Sequence, residues 1–265
     1  MAGERRGASI EIAGLRKEYV SGPGRVLALD HIDLTIAPGE FVCIVGPSGC
    51  GKSTLLRILA GLDTQSGGSI KVEAPGWPVE NAMVFQESGL FPWMSVETNV
   101  GFGLMTRGVP AAEAAERIDA ALKLVGLTKF RRHYPHQLSG GMRQRSAIAR
   151  AFVTDPGVLL MDEPFAALDA QNRVILQAEL VRIWEHTRKT VIYITHSIEE
   201  ALLLGDRTVV MTAQPGRIKR IIDVPFPHPR NLMTLSASAE FGKLKLDIWR
   251  VLEDEVMRAR AEEEK

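Results

Sequence analysis

The sequence predicts an α/β fold, in which a mostly parallel sheet is interrupted by a helical insertion. Continuous apolar runs of strand length recur along the chain, and such runs are typical of parallel strands that are buried on both faces. The first of these runs leads through a glycine-rich loop directly into a helical pattern. The residues between about 90 and 155, in contrast, have mainly the periodicity of helices.

The N-terminal segment is predicted to be β structure with one solvated face. Ile32, Leu34 and Ile36 alternate with polar residues, and Pro38-Gly39 then forms a turn before the apolar run Phe41–Val45. Alternation is typical of antiparallel strands that place one face on the core, whereas a continuous run is typical of a buried central strand. We therefore expect an N-terminal antiparallel β segment beside an α/β core.

The helical insertion is predicted to lie at about residues 90–155. Pro110 is expected to occupy the first position of an alanine-rich helix that Gly126 ends. A second helix is expected to begin after Ser139 and to turn its apolar residues inward.

The rest of the chain returns to the sheet and then ends in a helix. Three more runs are predicted to be buried strands: Val158–Met161, Thr190–Thr195 and Arg207–Thr212. From Gln214 the chain is turn-rich and is expected to be extended, before an amphipathic helix over Ala239–Ala259 with a frayed, charged end. We predict one domain over residues 9–235, which includes the helical subdomain, and a C-terminal helix and charged tail over 236–265. This helix is expected to cover the edge of the core.

Composition excludes several classes of protein. The 32 basic residues balance 32 acidic ones, so the chain lacks the positive excess typical of proteins that bind nucleic acid. The N-terminus lacks the apolar segment of a secretory signal, and no apolar run is long enough to span a bilayer. The two cysteines, Cys43 and Cys50, are too few for a disulfide framework and are expected to be free thiols. We expect a soluble protein that reaches a membrane only through a partner chain.

The glycine-rich loop matches the pattern G-x-x-x-x-G-K-[ST] and consists of Gly46, Pro47, Ser48, Gly49, Cys50, Gly51, Lys52, Ser53 and Thr54. In such a P-loop, backbone N–H groups cradle phosphate oxygens, the lysine reaches the β- and γ-phosphates, and the serine binds Mg²⁺. A chance match is the alternative, but the strand before the loop and the helix after it argue against chance. The loop predicts ATP and Mg²⁺ as ligands. Because Cys50 lies within it, a bulky thiol reagent is expected to inhibit, and ATP to protect.

An acidic pair follows the strand Val158–Met161. Asp162 at the end of this strand is expected to hold Mg²⁺ through water, and Pro164 ends the strand so that Glu163 can turn toward the γ-phosphate. A carboxylate in that place could orient the attacking water as general base. The alternative is a pair of solvated acids at a strand end, which the P-loop upstream makes the weaker interpretation.

Three further residues are candidates for the site, and each has an ordinary alternative. Gln86 follows a strand-like run, where it could bind Mg²⁺ or the attacking water, or be a surface amide. His196 could donate to the γ-phosphate, or simply precede the helix that Ser197 and Glu200 are predicted to open as a capping box. Tyr19 could stack on adenine or be an aromatic core residue.

A second glycine turn, LSGGMRQR, spans Leu138–Arg145. Ser139 is a good helix N-cap, and the N–H groups of Gly140 and Gly141 are left open at the positive end of the helix that follows. The turn is therefore predicted to be a second anion site. The alternative is a capped helix that begins with a flexible glycine pair.

Taken together and in their order along the chain, these residues resemble the motifs of the ATP-binding subunit of ABC transporters. The P-loop, Gln86, the LSGGM turn, the acidic pair, the ALD sequence at 167–169 and His196 match the family across about Ile10–Thr212. The resemblance implies a P-loop NTPase core of the ABC ATPase type, which hydrolyses ATP. It also implies a head-to-tail homodimer, in which each ATP lies between one P-loop and the Ser139, Gly140 and Gly141 of the partner.

The resemblance further implies a role for individual side chains. Tyr19 would stack on adenine, Glu163 would be the general base, His196 would contact the γ-phosphate, and Asp169 would lie at the dimer interface.

Three stretches are similar to the nitrate, sulfonate and taurine importers within the family: residues 85–100, Leu138–Arg145 and Met211–Ile218. Met142 stands where the family commonly has glutamine, and Ala166-Ala167 stand where a serine is commoner. This similarity implies a transmembrane permease, a solute-binding protein, and a place at the cytoplasmic face of the inner membrane. Phe91-Pro92-Trp93 would receive a permease helix, or else form a small cluster buried under a loop.

Two other function classes share some of these motifs. A soluble ABC-type ATPase that acts on nucleic acid or ribosomes usually has a long coiled-coil insertion or two copies of the cassette, whereas this chain has a short insertion and one P-loop. A P-loop kinase would leave Leu138–Arg145 without a role. The sequence does not specify the transported solute, because the permease and the binding protein would select it.

Overall fold

A computed structural model of the chain describes residues 7–21, 24–74, 79–166 and 168–263. The strands, in chain order, are β1 (Ser9–Ser21), β2 (Gly24–Ile36), β3 (Phe41–Val45), β4 (Gly67–Glu73), β5 (Asn81–Val84), β6 (Val158–Asp162), β7 (Thr190–Ile194), β8 (Arg207–Met211) and β9 (Ile218–Asp223). The α-helices are α1 (Lys52–Leu59), α2 (Val96–Thr106), α3 (Ala111–Leu124), α4 (Gly140–Phe152), α5 (Ala170–Thr187), α6 (Ile198–Leu204), α7 (Leu232–Ser236) and α8 (Ala239–Glu263).

Two sheets form the framework, and they confirm the predicted α/β fold with its antiparallel N-terminal segment. The 6-stranded sheet has the order β5-β6-β7-β3-β8-β9, and its members are parallel except for β9. The 3-stranded sheet has the order β2-β1-β4 and is antiparallel. Strands β3, β6 and β7 are buried along their whole length, because apolar side chains cover both faces of the larger sheet.

Helices α2, α3 and α4 lie between β5 and β6 in the chain, where the insertion was predicted. Pro110 is the residue before α3 and not its first helical residue, and Gly126 ends the helix region with a φ of 67°. This left-handed conformation is one that glycine adopts at little cost. Ser139 caps α4, as predicted, by accepting a hydrogen bond from the Met142 N–H.

The C-terminal region differs from the prediction in two ways. The extended, turn-rich segment includes β9, which pairs antiparallel with β8 and closes the edge of the sheet. Helix α8 continues to Glu263, beyond the predicted end at Ala259, while residues 264 and 265 lie outside the described residues. Phe241, Ile248 and Leu252 bury one face of α8 against the core, as the periodicity predicted.

Within the described ranges, none of the helices combines the length and the apolar character that a membrane span requires.

Candidate functional site

Four of the predicted site motifs meet at one edge of the larger sheet. Since β3, β5, β6 and β7 are parallel neighbours in the sheet order, their carboxyl ends lie on the same side. The P-loop follows β3, Gln86 follows β5, the acidic pair lies at the end of β6, and His196 follows β7. Ligands of open α/β sheets bind outside this carboxyl edge, so the topology collects four of the predicted motifs into one place.

The P-loop wraps around the ammonium group of its own lysine. Lys52 is buried, and its Nζ donates to the carbonyl oxygens of Gly46 (2.9 Å) and Pro47 (2.7 Å). Gly51 has a φ of 97°, and a Cβ there would lie 2.9 Å from the Ala28 carbonyl oxygen, so only glycine fits. A fixed cation and the N-terminus of α1 thus face the same space, which makes it an anion site.

A serine and a carboxylate converge beside the P-loop. The Ser53 hydroxyl donates to Asp162 Oδ1 at 3.1 Å, although β7 lies between their two strands in the sheet. Burial raises the pKa of Asp162, and the hydrogen bond from Ser53 only partly offsets this effect. A buried carboxylate in this condition is stabilised by a bound cation, and Mg²⁺ prefers one or two such oxygen ligands together with phosphate and water. Ser53 and Asp162 therefore fit a magnesium ion that is shared with a nucleotide.

The residue after Asp162 adopts a strained backbone conformation. Glu163 has a φ of 45°, which is uncommon for a residue with a side chain, and its N–H donates to the Ile194 carbonyl at 3.1 Å. Strain of this kind is concentrated at functional sites, where the surroundings hold it in place. The turn brings Glu163 Oε2 to 3.1 Å from Nδ1 of the exposed His196. Two candidates that the sequence placed in separate motifs thus contact each other.

The capping box predicted at α6 is only half formed. Ser197 caps the helix by accepting from the Glu200 N–H at 3.2 Å, but the Glu200 carboxylate does not return to the Ser197 N–H. It accepts instead from the Thr195 hydroxyl (2.6 Å) and from Gln177 Nε2 (2.9 Å), and Thr195 Oγ1 accepts the Ser197 N–H. Thr195 and Gln177 are buried and require a partner, and Glu200 supplies it beneath His196. Sequence spacing alone does not distinguish this buried role from a cap.

Gln86 is exposed after β5, and the residue before it, Phe85, lines a groove of about 400 Å³. Phe91 lies in this groove, with its ring 4.7 Å from Phe102 and 5.7 Å from Trp93, while Trp93 is 70% exposed. The guanidinium of Arg150 lies 5.8 Å from the Phe91 ring. A small cluster buried under a loop accounts for Phe91 but leaves the exposed indole of Trp93 unexplained.

Tyr19 lies on β1 and is exposed, so the alternative of an aromatic core residue is wrong. Its hydroxyl donates to Asp63 Oδ2 at 2.7 Å, and Lys17 Nζ, which also binds Asp63, lies 4.5 Å from the centre of the ring. The Lys17 and Tyr19 hydrogen bonds lower the pKa of Asp63 to about 2. Lys17 pairs with Leu29, whose side chain contacts the P-loop at Gly51. Tyr19 is two residues further along β1, about 7 Å from Lys17, and so lies on the part of the antiparallel sheet that borders the P-loop.

The second glycine turn stands apart from the P-loop. Ser139 is exposed at the start of α4, with Gly140 and Gly141 in its first turn, where N–H groups have no partner within the helix. Among the described residues, no hydrogen bond or ion pair joins Ser139–Gly141 to the P-loop. The Met142 side chain packs against the core, so its difference from glutamine leaves the donors of the turn unchanged.

The segment after the acidic pair borders this turn. A Cβ on Gly141 would lie 3.2 Å from Leu168 Cδ2, so the two segments are in contact. Asp169 caps α5 by accepting the Asn172 N–H at 3.0 Å, and the bonds from Asn172 lower its pKa. A capping role was not foreseen, although an aspartate before a helix is a common cap. Ala167 lies outside the described residues.

The burial of Cys50 contradicts the reactivity that was expected from the sequence. The side chain is fully buried, and Sγ lies close beneath Gly46, where a Cβ would approach it to 2.9 Å. Burial also raises the pKa of the thiol, and thiols react as thiolates. Cys50 can therefore offer a phosphate only its backbone.

We expect a bulky maleimide to modify the native protein more than about tenfold more slowly than a free thiol, with little further protection by ATP. Mass spectrometry over time would measure this, with the denatured chain as the control in which both thiols react. Rapid labelling of Cys50 accompanied by loss of ATPase activity would contradict the buried geometry.

Known proteins with similar sequences are named as ATP-binding proteins, in agreement with a phosphate-binding site at the P-loop. The ABC transporter family matches residues 29–166. An uncharacterized ABC transporter ATP-binding protein of Methanocaldococcus jannaschii is 46% identical over 261 residues, which cover 97% of this chain and 96% of that protein. A nitrate import ATP-binding protein of Synechocystis is 45% identical over 221 residues, which cover 82% of this chain and 83% of that protein.

Solved structures with the same fold are also similar. One is a dimeric ATP-binding cassette in a post-hydrolysis state with bound ADP and Pi, which is 31% identical with a TM-score of 0.74. The match covers 82% of this chain and 100% of the cassette.

Proposed function

Because this chain belongs to the ABC transporter family and is an ATPase subunit of that family, we propose that it energises the import of a small solute through a separate permease. The solute is a small anion such as nitrate, a sulfonate or taurine, and a solute-binding protein delivers it. The chain acts as a peripheral subunit at the cytoplasmic face of the inner membrane and does not bind nucleic acid. The observation that carries the ATPase part is the shared sheet edge at which Lys52, Asp162 and Glu163 lie. The import part is carried by the 45% identity to a nitrate import ATP-binding protein.

The residues at this edge have different roles in ATP hydrolysis. Lys52 and the P-loop amides would hold the phosphates, while Ser53, Asp162 and Gln86 would hold Mg²⁺, which would draw charge from the phosphate oxygens. Glu163 accepts a proton from the attacking water, and His196, 3.1 Å from the Glu163 carboxylate, orients that carboxylate and contacts the γ-phosphate. Tyr19 stacks on adenine.

The second glycine turn is the reason to propose that each ATP site is formed by two subunits. Each chain has a P-loop and, apart from it, the turn formed by the exposed Ser139 and the half-buried Gly140 and Gly141. A head-to-tail homodimer places the turn of one subunit over the ATP of the other, and Asp169 then lies at the interface. ATP at this interface closes the dimer, and hydrolysis reopens it.

We further propose a division of the chain into domains. We assign residues 9–235 to the ATP-binding domain, with the helical subdomain at about 90–155, and residues 236–265 to an appended helix and tail. The groove beside Gln86 and the exposed Trp93 is the surface for the permease.

Reconstitution tests this function. The chain would be co-expressed with the membrane permease that co-purifies with it, and ATPase activity in vesicles measured with the binding protein and nitrate, taurine or an alkanesulfonate. We expect one of these anions to stimulate hydrolysis, and Trp93→Ala to abolish the stimulation but preserve the basal rate. Co-purification with nucleic acid or ribosomes, and no permease, would favour the soluble class of ABC ATPase.

A further inference from the structure

The motif MTAQPGRI at Met211–Ile218 has no part in the site described above, yet its loop lies against the P-loop. The residues between β8 and β9, Thr212–Arg217, form this loop, which we call the β8–β9 loop. Met211, just before it, lies at the start of the P-loop, where a Cβ on Gly46 would be 3.1 Å from the Met211 Cβ and 3.3 Å from its carbonyl oxygen. The last residue of β8 thus supports the first residue of the P-loop.

The other end of the P-loop rests on Gly216. A Cβ added to Gly216 would lie 2.0 Å from the Cys50 carbonyl oxygen, a distance that no side chain can occupy without moving the P-loop. The Gly216 N–H donates to the Ala28 carbonyl at 2.9 Å, and the Asp30 N–H donates to the Gly216 carbonyl at 3.0 Å. Gly216 is therefore fixed between β2 and the P-loop, and its lack of a side chain permits this close approach.

The β8–β9 loop is closed by its own hydrogen bonds. The Thr212 N–H donates to the Arg217 carbonyl at 2.9 Å, and Thr212 Oγ1 accepts the Arg217 N–H at 3.0 Å and donates to the Pro215 carbonyl at 3.0 Å. Arg217 also forms an ion pair with Asp30 on β2. A loop braced in this way transmits a displacement of one end to the other, since it has little internal freedom.

A carboxylate from the C-terminal helix holds this loop. Glu255 on α8 is only 2% exposed, and its Oε2 accepts the Ala213 N–H at 2.9 Å. Its Oε1 lies 2.8 Å from Lys219 Nζ on β9 and 3.3 Å from Arg258 Nη1. Burial alone would raise the pKa of Glu255, but the bonds from Lys219 and Ala213 outweigh it and lower the pKa. The carboxylate is therefore ionised and fixed, although it lies far along the chain from the nucleotide motifs.

We propose that Glu255 is a positioning residue for ATP binding: it anchors the β8–β9 loop, and this loop supports the P-loop at Gly46 and Cys50. Helix α8 thereby sets the geometry of the phosphate cradle and provides a route by which an event at the C-terminus changes nucleotide affinity. The inference rests on the proposed binding of ATP at the P-loop.

The test compares two carboxylates on the same helix. Glu255→Ala leaves the Ala213 N–H without its acceptor, whereas Asp254→Ala removes the same charge from an exposed neighbour that lies 3.8 Å from Lys219. We expect Glu255→Ala to raise the Kd for ATP about tenfold, and Asp254→Ala to change this Kd less than about twofold. Glu255→Gln retains an oxygen for the Ala213 N–H and should recover at least half of the loss on a logarithmic scale.

Hydrogen exchange supplies a readout that a loss of global stability would not give. At a temperature well below the Tm of each variant, we expect faster deuterium uptake in peptides that cover 46–52 and 212–217 of Glu255→Ala, with the sheet strand Thr190–Ile194 unchanged. If Glu255→Ala does not fold, the Kd for ATP and hydrogen exchange of Glu255→Gln test the inference instead. We expect Glu255→Gln to raise the Kd about threefold.

The outcomes separate the inference from the proposed function. If Lys52→Ala abolishes ATP binding while the folded Glu255 variants bind and exchange like wild type, the P-loop assignment stands and the positioning role is wrong. If Lys52→Ala binds ATP like wild type, the proposed function itself fails. Weaker binding by Glu255→Ala with unchanged exchange in 46–52 would also overturn the proposed route.

Discussion

Glu163→Gln is expected to slow ATP hydrolysis by about 100-fold or more, because general base catalysis contributes about that factor. Glutamine has the size and hydrogen-bonding groups to keep the turn that follows β6, but its amide cannot take a proton from water. Lys52, Ser53 and Asp162 are unchanged, so ATP should still bind. The variant is expected to accumulate as an ATP-bound dimer, which light scattering with and without ATP would reveal alongside the rate of phosphate release.

A matched control is available on α6. Glu199 is half-buried and pairs with Lys245 at 3.0 Å, so Glu199→Gln removes the same charge outside the site. We expect this control to hydrolyse ATP within about twofold of the wild-type rate. Wild-type turnover by Glu163→Gln would show that another group activates the water, and His196 would then be the next candidate.

The grouping of the candidate residues at one edge could have been predicted from the sequence, because a simple rule of topology is enough. Apolar runs identified β3, β6 and β7 as buried parallel strands, and parallel strands end on a common edge. Every motif placed directly after such a run therefore had to lie near the others. The contact between Glu163 and His196 follows from β6 and β7 being neighbours in the sheet, although the strand order itself was not predicted.

The features that the sequence did not predict depend on where side chains point. The spacing of Ser197 and Glu200 fits a capping box. The Glu200 carboxylate instead accepts hydrogen bonds from the buried Thr195 and Gln177. Cys50 was expected to be reactive because it lies in the P-loop, yet its side chain turns beneath the loop and is buried. A local pattern gives the position of a residue in the chain and not the surroundings of its side chain.

Long-range pairing was the other source of error. Strand β9 has no sequence pattern stronger than its extended neighbours and forms because the edge of β8 is available to it. Gly216 likewise looks like an ordinary turn glycine, and only the approach of Cys50, more than a hundred residues earlier in the chain, reveals why a side chain cannot fit. Contacts of this separation depend on the assembled fold.

Mixing two inactive variants is expected to restore ATPase activity, if each ATP site is formed by two subunits. Lys52→Ala removes the cation of the P-loop. Gly140→Asp places a negative charge at the N-terminus of α4, where it repels the γ-phosphate. The structure accommodates this change, since a Cβ on Gly140 would have its nearest neighbour, Arg143 Nη2, at 3.9 Å. Each homodimer then has two defective sites and should hydrolyse ATP at background level.

In a mixed dimer the two defects fall on the same site. The P-loop of the Lys52→Ala subunit faces the turn of the Gly140→Asp subunit, while the intact P-loop of the second subunit faces the intact turn of the first. Random pairing of equal amounts gives half mixed dimers with one good site each, so about a quarter of the wild-type rate is expected if the sites act independently.

The control Gly140→Asn has the same bulk without the charge, and its homodimer should retain much more activity than Gly140→Asp. If the turn and the P-loop of a single chain served the same ATP, every subunit in the mixture would be defective and mixing would restore nothing. The mixing experiment therefore distinguishes a site shared between subunits from one contained in a single chain. It does so without depending on the identity of the transported solute.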